Sequence, residues 1–91
     1  MERVTEMKAR VVVFLKADVM DPQGVAVGQA LGSLGHSGVN RVRVGRAFEL
    51  ELTETDPVKA EAEVKKMCES LLANTVIEKY EVELVQPEGV A

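Results

Sequence analysis

Few side chains in this 91-residue sequence could do chemistry. His36 is its one histidine and Cys68 its one cysteine. A general base needs a pocket and an oriented partner, yet His36 lies among Gly35, Ser37 and Gly38, where a helix must end. A loop role is the simpler reading. A nucleophilic thiol needs an electropositive, partly exposed setting. Cys68 instead falls on an apolar stripe with Val64, Leu71 and Leu72, and reads as a small buried hydrophobe. The two residues are not at ligand spacing, so no metal site is expected. Asp21-Pro22-Gln23-Gly24 could open a helix towards an anion, but an acid at the N-cap repels phosphate, and plain capping is preferred. No phosphate loop, triad or paired-acid motif is present. Neither catalytic nor cofactor-binding residues are therefore expected.

Composition narrows the classes further. Hydrophobic residues make up 46% and charged residues 29%, as in a single globular domain. Eleven basic residues against fifteen acidic ones give a net charge of −4. That argues against nucleic-acid binding, which needs a positive footprint, and against a polybasic membrane contact. The longest apolar run, Val11 to Leu15, is too short for a membrane span. A lone cysteine fits a reduced, cytoplasmic setting. Only three aromatics, Phe14, Phe48 and Tyr80, are available, so the core must be aliphatic.

The elements that must position these residues can be read in order. The whole chain reads as one domain, with residues 1–6 and 86–91 expected to be flexible. Lys8 to Lys16 predicts a strand, with Val11, Val13 and Leu15 on one face and Val12 and Phe14 on the other. Asp21-Pro22 predicts a helix start, followed by Val27, Ala30, Leu31 and Leu34 at helical spacing. Gly24, Gly28 and Gly32 share one edge of that helix. They either admit another backbone or are tolerated drift. Val39–Arg46 and Ala47–Thr53 alternate like a hairpin, with a loop at Gly45-Arg46-Ala47. That register pairs Arg43 with Glu49 and Arg41 with Glu51. Asp56-Pro57 opens a second helix, with Ala60, Val64, Met67, Cys68, Leu71 and Leu72 on one stripe and Asn74 to close it. Val76 to Val85 predicts the last strand, with Tyr80, Val82 and Leu84 on one face.

The order βαββαβ predicts an α+β, ferredoxin-like sandwich: a four-stranded antiparallel sheet with two helices on one face. Val12 and Phe14 then lie on the face without helices. Two such side chains could each gain about 1.5–3 kcal/mol from burial. A homodimer or dimer of dimers is expected to cover them, with Arg41, Arg43, Glu49 and Glu51 around the contact. An RNA-recognition role would need stacked aromatics on this face, and Phe14 is isolated. An acylphosphatase-like role would need an arginine after the first strand, where Ala17 to Asp21 offers two acids and no base.

Three blocks of sequence carry a resemblance. They are Met67-Cys68-Glu69-Ser70-Leu71-Leu72-Ala73-Asn74-Thr75-Val76-Ile77-Glu78-Lys79-Tyr80; Leu15-Lys16 with Asp21-Pro22-Gln23-Gly24, Ala30-Leu31 and Leu34-Gly35; and Val42-Arg43-Val44-Gly45-Arg46 with Glu49-Leu50. In this order and spacing the chain resembles the PurS family, the small subunit of phosphoribosylformylglycinamidine (FGAM) synthase. Arg46 stands where lysine is usual, which keeps the charge but not the geometry. Gly28 and Gly32 fall outside the family pattern. The resemblance implies a non-catalytic subunit of de novo purine biosynthesis. It would bridge a glutaminase subunit and a large synthetase subunit so that ammonia passes between them. ATP and magnesium would belong to the synthetase, with no cofactor in this chain. Asp21, Gln23, Gly24, Asn74 and Thr75, inside the matching blocks, become candidate partner contacts. The competing class is a ferredoxin-like domain that senses a small metabolite.

Overall fold

A computed structural model describes residues 7–85 of the chain. Residues 1–6 and 86–91, expected above to be flexible, lie outside the described residues. The elements are β1 (Met7–Leu15), α1 (Pro22–Ser33), β2 (Gly45–Leu52), α2 (Pro57–Met67), a π-helical turn (Cys68–Leu72) and β3 (Glu78–Val85). The strands form one antiparallel sheet in the order β2-β1-β3.

Alternation sets the faces. Val11 lies opposite Phe48 and Val82, so one side of the sheet is apolar across all three strands. Ala9, Val11 and Val13 are buried there beneath Val64 and Cys68, and Phe48, Leu50, Leu52, Tyr80, Val82 and Leu84 close around them. Each fully buried valine contributes about 1.5–3 kcal/mol. Both helices start on the expected Asp-Pro pairs. Asp21 Oδ1 accepts from Gly24 N at 2.8 Å, and Asp56 Oδ1 from Val58 N at 2.9 Å.

Among the described residues the sheet has three strands rather than the four expected, and the 39–44 segment runs without a ladder partner. Its polar groups are taken elsewhere. Val44 N donates to Asp21 Oδ2 at 2.9 Å, Arg43 donates to Leu15 O, and Arg41 donates to Ala17 O at 3.3 Å. Gly45 is not a loop residue but the first residue of β2, opposite Phe14. The expected pairs Arg43–Glu49 and Arg41–Glu51 therefore do not form, and Glu49 meets Arg10 at 3.3 Å.

Nor do two helices cover one face. Among the described elements only α2 packs substantially on the sheet. α1 instead lies against the 39–44 arm, with Leu34 74% exposed and Val25 and Val27 also open.

Candidate functional site

Two polar clusters hold the non-sheet parts in place. The first fixes α1 and the arm. Asp21 uses one carboxylate oxygen to cap α1 and the other to hold Val44. The N–H groups of Val44 and Gly24 hold its carboxyl below the usual range, with Arg43 and Arg41 adding attraction. Gly24 is buried, and a Cβ there would collide with the Val42 carbonyl oxygen. Gly28 makes ordinary contact with Val42, and Gly32 faces open space. So the first glycine of the stripe admits a backbone, and the third does not.

The second cluster fixes the tip between the π-helical turn and β3. Arg46 forms a fork onto Glu78 at 2.7 and 2.9 Å and also donates to Leu72 O at 2.7 Å. Glu78 Oε1 accepts from Asn74 N at 2.7 Å. The Arg46 guanidinium, then the Asn74 N–H, pull the Glu78 carboxyl down to about 2. This staple ties three separate chain segments and presents Asn74, Thr75 and Val76 outward. Val76 is 79% exposed, and Leu71 just before the tip is 83% exposed.

The expected partner contacts divide accordingly. Asn74, Thr75 and Gln23 are exposed, while Asp21 and Gly24 are engaged within the chain. Val12 and Phe14 share the outer sheet face and are half-buried. Arg41 and Arg43 reach that face from the arm and, with Val12, Phe14, Lys79 and Glu81, line an open cleft there of about 430 Å³. Glu49 and Glu51 lie farther along the same face, opposite Arg10 and Lys8 of β1. Sequence reasoning missed the Arg46–Glu78 staple. Its signal was the family-typical cation at position 46, read there as a loop residue.

Cys68 lies wholly buried, and desolvation raises its thiol. No cluster of three or more His, Cys, Asp or Glu is gathered among the described residues, and no helix there is long and apolar enough to cross a membrane.

The fold defines a small α+β domain, an antiparallel sheet with one helix packed on it and a second helix projecting. The chain belongs to the PurS family. The family model described as PurS, phosphoribosylformylglycinamidine (FGAM) synthase, matches residues 8–86. PurS is a subunit of FGAM synthase, in purine biosynthesis. The PurS subunit of Mycobacterium leprae is 48% identical over 75 residues, covering 82% of this chain and 91% of that one. Solved Bacillus subtilis PurS is 46% identical with a TM-score of 0.79, covering 88% of this chain and 99% of that one. A structure of PurLQS from Thermotoga maritima contains a chain 32% identical, with a TM-score of 0.78 over 87% of this chain and 98% of that one.

Proposed function

We propose that this chain is the non-catalytic small subunit that bridges the glutaminase and synthetase subunits of FGAM synthase in the cytoplasm. The observation that carries this reading is the match to a chain of PurLQS, over nearly the full length of both. The stapled tip supports it, because Leu71 and Val76 are open to water on a turn that Arg46 and Glu78 hold rigid. A preorganised turn loses little entropy on docking. ATP and magnesium belong to the synthetase, which activates the amide oxygen for attack by ammonia from the glutaminase.

The chain works in this role as a homodimer or a dimer of dimers. α1 leaves Val25, Val27 and Leu34 uncovered, and Phe48, Leu50 and Leu52 of β2 are only half-covered. A second copy can bring its α1 to this strand by a two-fold axis, a surface other than the Val12–Phe14 face expected from the sequence, which this arrangement leaves open. The test is co-purification with both partner subunits in glutamine, ADP and magnesium. The wild type and a Lys59→Gln control on the exposed side of α2 are expected to be retained, while Val76→Glu is lost from the complex although it folds. Retention of Val76→Glu at wild-type level discards the tip as the contact.

A further inference from the structure

We infer that the outer-face cleft of Val12, Phe14, Arg41, Arg43, Lys79 and Glu81 is a binding site for a phosphate or pyrophosphate group. In a chain of net charge −4, three cations converge on one open cleft of about 430 Å³ against a single acid lining it. Arg10, Arg46 and Lys65 each lie within 4 Å of a carboxylate, but among the described residues Arg41, Arg43 and Lys79 form no such pair. Like charges gathered this way repel one another, and a multivalent anion relieves that repulsion.

The two arginines are held in position. Arg41 donates to Ala17 O at 3.3 Å and Arg43 to Leu15 O, so each gives one N–H to the chain as it leaves β1. A guanidinium carries five N–H donors in a fixed fork that matches phosphate oxygens. The Arg43 guanidinium also rests 5.7 Å from the centre of the Phe14 ring. Phe14 and Val12 form an apolar floor, which strengthens the attraction by excluding water. Lys79 stands opposite Phe14 on β3 and adds a mobile point charge. Two acids work against the site: Glu81 in its wall, and Asp21, whose carboxylate already feels Arg43 and Arg41. Both Asp21 oxygens accept backbone N–H groups, so that charge is already partly satisfied.

The ring offers no platform for a base. Arg43 lies over Phe14, and the ring edge is packed so closely on Gly45 that a Cβ there would meet it at 2.6 and 2.7 Å. Recognition is therefore of the anion and not of an attached nucleoside.

The experiment titrates the full chain, in its own oligomeric state and in low chloride, with pyrophosphate, ADP and adenosine, read by amide and arginine side-chain NMR shifts. Pyrophosphate and ADP are expected to bind with affinities within about threefold of each other, and adenosine not at all. Lys79→Gln and Arg41→Gln should each weaken binding about tenfold, and Arg10→Gln should leave it unchanged. Lys79 makes no side-chain hydrogen bond among the described residues, so its variant keeps the fold. Absence of saturation, adenosine binding, ADP binding far tighter than pyrophosphate, or equal effects of Lys79→Gln and Arg10→Gln would each overturn the assignment.

Discussion

At the scale of single residues, Glu78 gives a stability that depends on pH. Its carboxyl is held at about 2 against an ordinary 4.5. A depressed acid stabilises the fold fully above the ordinary value and loses that contribution as pH falls towards the folded one. Glu78→Gln should cost about 1–2 kcal/mol at neutral pH, the lower part of the range for charged hydrogen bonds because Arg46 is half-exposed. The difference from wild type should shrink as pH drops from about 4.5 to about 2. Urea midpoints across that window measure it, and a gap independent of pH would refute the linkage. Cys68 makes a simpler case. It is fully buried between α2 and the sheet, and burial pushes its thiol up. A thiol reagent should label it only after unfolding, and Cys68→Ser should destabilise the fold by about 1–3 kcal/mol through an unpartnered hydroxyl. Labelling of the folded chain as fast as of the unfolded chain would contradict this burial.

At the scale of elements, alternation and Asp-Pro signals made β1, both helix starts and the inner faces of all three strands legible. Two features were not. The second helix was expected to hold Leu71 and Leu72 on one stripe. Instead Ala73 N donates to Cys68 O at 2.9 Å, a five-residue step that inserts an extra residue into the turn. This shift rotates Leu71 out and brings Leu72 and Ala73 in. Asn74 then makes a turn, accepting from Ile77 and Glu78 N–H groups, in place of a left-handed cap. The second feature is the 39–44 arm, where Val42 and Val44 alternate as a strand does. Alternation reports which side chains share a face, but not whether a backbone partner exists. Here the Asp21 carboxylate takes the Val44 N–H that a ladder would use. The capping role of Asp21 was legible from its place before Pro22, whereas its second bond, to Val44 N, joins residues far apart in the chain and left no local signal. Gly24→Ala tests how the arm is held. Forcing a Cβ against the Val42 carbonyl should cost about 1–3 kcal/mol. Hydrogen exchange at Val44 should speed up while the β1–β3 amides stay protected. Unchanged protection of Val44 would mean the arm is held by something other than its contact with α1.

At the scale of the whole molecule, most of the chain's chemistry serves placement. The sheet and α2 make a small aliphatic core, Asp21 fixes a projecting helix, and Arg46 with Glu78 fixes the tip. Such a body suits bringing two enzymes together, where proximity converts a diffusing intermediate into a local one. The most direct measurement follows FGAM formation by the synthetase and glutaminase subunits, with and without this chain, using glutamine or an ammonium salt as nitrogen donor. A bridging subunit predicts that omission lowers the glutamine-driven rate by about tenfold or more, while the ammonium-driven rate of the synthetase persists. A glutamine-driven rate that is the same without the chain would contradict the bridging role.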